Sequence, residues 1–313
     1  RSVSRGLGDV YKRQLLDRCE QGDFAEDLWR QIMANGFHQL GDAASGTTPA
    51  DIFAFLKVCG RFAVPLPMAE LLLGHSWAVA QLAPCEGLVS IGRQHGKQAI
   101  QVPWGRRAQR VFGVDENSQV VCVADAPVCV QEGNNMAAEA RDTIELGPDT
   151  QQITLSDDPF AQMALARTNL MAGTLQSTLD LGLQFAAERE QFGRSISKFQ
   201  AIQHSLAVVA AEVAAAQRAA DAGVDALGSD RFIAEVAASK ARVGEAVGIV
   251  AEQVHQVHGA MGFTHEHRLH HFTRRLWAWR DEWGNETHWQ RVLGARIAGL
   301  GADQAWGFIA TRG

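Results

Sequence analysis

Residues 187–204 read AEREQFGRSISKFQAIQH. Physically this is a helix end, a turn and the start of another helix. Gly193 marks the turn, and Ser197 with Gln200 has the spacing of a capping box. Phe199, Ile202, Leu206, Val209 and Val213 then recur at steps of three and four, the stripe of a helix with one buried face. The turn presents Arg189, Phe192 and Arg194 beside the N–H groups of a helix N-terminus, a seat suited to an anion. A guanidinium fork can grip a pyrophosphate, and Phe192 adds an apolar face. An ordinary turn with solvated charges is the simpler alternative.

Working outward, the pattern is helical on both sides. Before the turn, 159–187 carries Leu165, Leu170, Leu175, Leu179 and Leu183; after it, Ser229 or Asp230 is placed to cap a helix through Phe232, Val236, Val243, Val247, Val250 and Val254. Two more helices are expected at about 266–281 and 286–304. Ala210, Ala211, Ala214 and Ala215 form a small-residue face that permits close approach inside a bundle.

Upstream the texture changes. Between about 87 and 156 lie seven short β-rich runs, 88–91, 98–102, 110–114, 119–124, 128–131, 143–146 and 152–155, punctuated by Gly, Asn, Asp and Pro. That texture predicts a small antiparallel sheet. Residues 15–83 read as helices, with Gly36 as a stop and Thr48–Pro49 as a start. The first fourteen residues, RSVSRGLGDVYKRQ, look like a translated sequencing adapter and are set aside; the true N-terminus is expected to be missing. The fold class is therefore mainly α with a small β domain: a tail (1–14), N-terminal helices (15–86), a middle sheet (87–156) and a C-terminal four-helix-type bundle (157–313).

Composition fits a globular chain, at 46% hydrophobic and 20% charged over 313 residues. A net charge of −6 argues against a polyanion-binding surface, so no nucleic-acid partner is expected. Arg268, Arg274, Arg275 and Arg280 gather locally, suited either to a phosphate-bearing ligand or to solvated helix faces. Five cysteines without framework spacing read as reduced thiols in a cytoplasmic protein, and no apolar run approaches a membrane span.

A second constellation, QVHGAMGFTHEH (256–267), ends the third bundle helix. Gly259 and Gly262 allow helix termination and close backbone approach. Gln256 can donate and accept hydrogen bonds to a ribose or phosphate. Seven histidines lie between 255 and 288, yet only Glu252–His255 fits E-x-x-H and no H-E-x-x-H zinc pattern occurs. No metal site is expected; a metal-dependent helical oxidase would rest on the histidines alone.

The 189–204 string is similar to the acyl-CoA dehydrogenase signature R-x-x-F-G-x-x-I-x-x-F-Q-A-I-Q-H, matched in order and spacing. Residues 256–267 resemble that family's Q-[IV]-x-G-G-x-G-[FY]-x-x-E segment, with Ala260 where the second glycine is usual. The resemblance implies a flavin adenine dinucleotide (FAD) cofactor. It would be contacted by Arg189, Gln191, Phe192 and Gln200 from a neighbouring subunit, and by Gln256, Gly259 and Ala260 near its adenosine part. It implies α,β-dehydrogenation of an acyl-CoA thioester, with an electron-transfer flavoprotein or similar acceptor and a homo- or hetero-oligomer.

The catalytic carboxylate in many members is the Glu of Y-E-G-T-x-E-I-Q-R. The corresponding stretch is RRLWAWRDEWGNETHWQR (274–291). Alignment from Phe272 puts Glu282 at that position, alignment back from Gln290–Arg291 puts Gly284 there, and Asp281 is the second candidate. Where other members carry the base earlier, this chain has Met163 and Ala164, with Arg167 a turn on to do the structural work of the family's Arg. The family's T-E-P-x-x-G-S-D stretch has no counterpart in VSIGRQHGKQAIQVPWG (89–105). Short chains of this kind resemble subunits of heteromeric acyl-CoA dehydrogenases, some acting on steroid or other bulky thioesters. The alternative role is thus a non-catalytic partner that completes a flavin site.

Overall fold

A computed structural model describes residues 13–79, 81–148 and 150–311. Most of the 1–14 tail lies outside the described residues; residues 13–20 form α1. Three further N-terminal helices follow: α2 (Glu26–Ala34), α3 (Pro49–Arg61) and α4 (Met68–Ala78). Pro49 opens α3 as expected, and the Thr48 N–H donates to Asp51 Oδ2 at 2.7 Å, tying down the first turn.

The middle sheet has seven strands: β1 (Val89–His95), β2 (Gln98–Val102), β3 (Arg110–Val114), β4 (Val120–Asp125), β5 (Val128–Gln131), β6 (Asp142–Glu145) and β7 (Gln151–Thr154). Their order is β5-β6-β2-β1-β3-β4-β7. Every expected β-run forms, but β1 and β3 pair in parallel, Val89 opposite Arg110, so the sheet is mixed. A hairpin turn makes β1–β2 antiparallel, whereas the longer crossover from β2 to β3 brings β3 alongside β1 in the same direction. All five residues of β3 are buried, because one face meets the helices and the other a smaller cluster around Val102, Val111 and Ile144.

The bundle is α5 (Pro159–Glu188), α6 (Gln200–Asp225), α7 (Phe232–His258), α8 (Leu269–Asp281) and α9 (Glu286–Leu300). Gly301, at φ +81°, then breaks the expected 286–304 helix and a separate α10 (Ala302–Thr311) follows. Helix α5 is the axis of the molecule: every residue from Met163 to Leu175 is buried. It crosses α3 backbone to backbone. A Cβ on Gly60 would lie 2.0 Å from the Leu170 carbonyl oxygen, and one on Gly173 would lie 1.9 Å from that of Lys57. Thr174 seals the crossing by donating its hydroxyl to the Gly60 carbonyl at 2.9 Å.

Three local expectations fail. Ser197 and Gln200 form no capping box: α6 starts at Gln200 without a side-chain cap, and Ser197 sits in a 3₁₀ turn held by Ser195. Neither Ser229 nor Asp230 caps α7, which begins after Arg231. The alanine face of α6 also points outward. Ala210, Ala211, Ala214 and Ala215 are exposed, while Val209, Val213 and Ala216 pack inward.

Candidate functional site

At the end of α5 the chain turns back as a short hairpin, β8 (Glu190–Gln191) and β9 (Arg194–Ser195). Its two-residue loop, Phe192–Gly193, has φ of +53° and +75°. Those are the signs of a type I′ turn, which suits Asn-Gly and is strained for phenylalanine. Phe192 is 91% exposed. Arg189, Gln191 and Gln200 are exposed too, and Arg189 makes no ion pair among the described residues. The hairpin is anchored by Ser195 Oγ donating to the Ala186 carbonyl at 2.8 Å, and by Arg194 stacked over Phe199 at 4.2 Å.

The second constellation lies at the same end of the bundle, because α7 runs parallel to α5. The Phe185 and His258 rings stack at 4.3 Å, and a small cluster of Ala186, Ile196, Leu206 and Val257 joins the hairpin to α7. Gln256, Gly259 and Ala260 are exposed there. Gly259 terminates α7 at φ +56°, ψ −141°, a conformation only glycine takes readily. The tertiary structure thus gathers all seven expected cofactor-contact residues at one end of the bundle.

Glu282 lies at the other end. Along α5, the twenty-two residues from Arg167, its partner, to Arg189 span about 33 Å at 1.5 Å per residue. Its carboxylate is buried and receives four hydrogen bonds: from Arg167 Nε at 2.6 Å, Arg141 Nε at 2.8 Å, Arg141 Nη2 at 3.3 Å and Asn135 Nδ2 at 3.1 Å. Burial alone would raise its pKa, but the two guanidiniums and their hydrogen bonds hold it at about 2. Arg167 also pairs with Glu70. Arg141 pairs with Glu139, whose second oxygen accepts from Arg275 at 3.1 Å. Arg275 continues to Glu20 at 2.9 Å, and Glu20 to His271 at 2.7 Å. The result is a single buried ionic chain linking α1, α4, α5, α8 and the β5–β6 loop.

The loop after α8 is equally fixed. Lys240 donates to the carbonyls of Arg280 at 2.7 Å and Gly284 at 2.8 Å. Trp283 (φ +59°) and Gly284 (φ +87°) turn the chain, and Trp289 donates its indole N–H to the Trp283 carbonyl. Gly284, the position reached by the other alignment, cannot carry a larger residue without meeting Trp289 and His288. Asp281 is exposed at the end of α8. Met163 and Ala164 are buried in α5.

The basic cluster is largely taken up in ion pairs. Arg274 and Arg275 are bound to Glu20, and Arg280 to Glu286. Arg275 is buried, while Arg274 and Arg280 stay partly exposed beside their carboxylates. Glu252 is exposed while His255 is buried and stacked between Phe263 and Trp277, so the E-x-x-H pair does not converge on one point. Sequence reasoning missed Glu139, Arg141 and Glu20; only their distant partners could have marked them.

The fold defines a class of protein, a helix–sheet–bundle scaffold that carries both constellations at one end of its bundle. Comparison gives the same result. The acyl-CoA dehydrogenase C-terminal domain family matches residues 157–305. Acyl-CoA dehydrogenase IpdE2 of Mycobacterium tuberculosis is 35% identical over 272 residues, covering 80% of each chain. Acyl-CoA dehydrogenase FadE34 of the same organism is 36% identical over 144 residues, 43% of this chain but only 20% of that protein. Among solved structures, the ChsE4–ChsE5 complex from M. tuberculosis superposes with a TM-score of 0.75 at 18% identity, covering 96% of this chain and 99% of that one. The chain belongs to the acyl-CoA dehydrogenase family. No helix among the described residues is long and apolar enough to cross a membrane.

Proposed function

We propose that this chain is one subunit of a hetero-oligomeric acyl-CoA dehydrogenase acting in fatty-acid or steroid-type thioester breakdown. Its 189–200 hairpin and its 256–260 helix end complete the FAD site of a neighbouring subunit. The observation that carries this is the separation of the two halves of the expected site. Arg189, at the cofactor-contact end, lies about 33 Å along the α5 axis from Arg167, the partner of Glu282.

The contact surface has the chemistry the cofactor needs. Arg189 offers a guanidinium to a pyrophosphate, Gln256 an amide to ribose hydroxyls, and Phe192 a face to stack on. An aromatic 91% exposed in a left-handed turn is costly in the isolated chain and makes sense against a partner surface. Bound flavin supplies the hydride acceptor for the family's α,β-dehydrogenation. The exposed alanine face of α6 supports helix packing against another subunit.

The role of base does not suit Glu282 in this arrangement. A carboxylate that removes a weakly acidic α proton works best with its pKa raised in a dehydrated site. Glu282 is instead the counter-ion of Arg141 and Arg167. Asp281, exposed, lacks the dehydration. We infer that a partner subunit supplies the base. A self-sufficient dehydrogenase is the second reading, favoured by the IpdE2 match over 80% of both chains.

Expression alone and with a co-encoded homologue separates the two, through the visible spectrum of bound flavin and its anaerobic bleaching by acyl-CoA. Colourless protein that gains flavin only as a complex supports the partner role. A lone chain that binds flavin, bleaches with acyl-CoA and loses bleaching in Glu282→Gln overturns it.

A further inference from the structure

His271 on α8 is fully buried, and its Nδ1 lies 2.7 Å from Glu20 Oε1. Glu20 also accepts from Arg274 Nη1 at 3.0 Å and from Arg275 Nη1 at 2.9 Å. An ionised carboxylate only accepts, so Nδ1 carries the proton and donates it. In the neutral ring Nε2 is then the lone pair. That atom is buried without a hydrogen-bond partner among the described residues, and it faces Asp17 Oδ1 at 3.3 Å. In that state two acceptors are opposed, which calls for a positive species, a proton or a metal ion, between them.

His270, the preceding residue, repeats the arrangement. Its Nδ1 lies 2.8 Å from the His267 carbonyl oxygen, so Nδ1 is again the donor and Nε2 the free lone pair. Ligand atoms from Asp17, His270 and His271 all lie within 4.8 Å of one another. A tetrahedral zinc ion bound at about 2.0–2.2 Å sets its ligand atoms roughly 3.4 Å apart. The His271–Asp17 separation of 3.3 Å matches one such edge, and the remaining ligands need only modest side-chain closure.

We propose that Asp17, His270 and His271 form a binding site for a divalent transition metal of zinc type, with Glu20 orienting His271. The Glu20–His271 hydrogen bond is the carboxylate–histidine pairing that fixes a metal-bound imidazole. Three protein ligands leave a fourth position; of the three, His271 also lines a groove with Arg13, Arg61, Asp180, Gln184 and Arg268. The metal pins α1 to α8. Arg13, 3.6 Å from Asp17, and the two arginines on Glu20 reduce the local negative field, so binding is moderate in strength. The site is independent of the flavin reading.

The test is cobalt titration of the untagged full chain after chelator dialysis. It is followed by visible absorption, zinc competition and thermal unfolding with and without zinc. One equivalent of tetrahedral cobalt, displaced by zinc, is expected. Asp17→Asn and His270→Gln should each weaken binding at least tenfold, and Glu20→Gln by about 10–100-fold. Asp17 is only half buried, so its variant keeps the fold, checked by circular dichroism. Absence of stoichiometric cobalt binding overturns the proposal, as does binding indifferent to both ligand substitutions. So does nitrogen NMR showing both His271 nitrogens protonated in a chain without metal affinity, because a proton then fills the gap.

Discussion

Arg167 and Glu282, 115 positions apart in sequence, meet at 2.6 Å in the interior, each with its side chain less than a tenth exposed. The pair ties the central helix to the loop that the family motif would make catalytic. Around it, every charge has an opposite charge or a hydrogen-bond partner. This is the arrangement that lets a buried ion persist.

Removing one member should therefore unfold the centre of the molecule. Arg167→Met leaves Glu70 and Glu282 without a shared cation, and we expect a loss of about 3–5 kcal/mol in urea unfolding. The double variant Arg167→Met/Glu282→Gln should lose less than the sum of the singles. Strict additivity would show that the two do not interact.

Stability should fall in two stages as pH is lowered. Burial, with His258 and other cationic neighbours, lowers His267 from 6.5 to about 4. The unfolded chain therefore takes up that proton first, and stability is lost between about pH 6.5 and 4. Glu282 and Glu20 are lowered from 4.5 to about 2, so their contribution is complete above pH 4.5 and lost as pH falls toward 2. Urea midpoints measured from pH 8 to 2 should trace both steps. The lower step should be nearly insensitive to salt, since the groups are buried.

The α3–α5 crossing tolerates no added methyl. Gly60→Ala and Gly173→Ala each drive a Cβ into a backbone carbonyl, and each should cost roughly 3 kcal/mol or more. Gly294→Ala in α9 meets nothing within 4 Å and should stabilise by up to about 1 kcal/mol. Thermal melts of the three variants check the contrast.

Phe192 stands 91% exposed in a left-handed turn. Phe192→Asn places a residue that accepts positive φ in the type I′ turn, and should raise stability by roughly 0.5–1 kcal/mol. The same change should lower flavin retention in the assembled complex. Unchanged retention would remove Phe192 from the cofactor surface.

Much of the architecture is readable because it is local. The seven β-runs, the valine stripe of α7 and the Pro49 start follow from residue spacing within one element. The positive φ of Gly259 was likewise signalled by the glycine itself. Misreadings arise where alternatives are nearly isoenergetic. Ser197 could cap a helix or support a 3₁₀ turn, and packing of Ile196 and Phe199 against the hairpin cluster favours the turn. The alanines of α6 are equally compatible with an inner or outer face, since a methyl gains little from either.

Taken by itself, the order of residues determined the helix–sheet–bundle succession, the place of the turn after α5 and the family signature, all of which depend on neighbours a few positions apart. Only the tertiary structure decided that Glu282 is a counter-ion, that β1 and β3 run parallel, and that His271 meets Glu20 across 251 positions. The reason is physical. A carboxylate's chemistry depends on which charges lie within a few ångströms, and here those charges come from α5 and the β5–β6 loop, brought close by the burial of a common core.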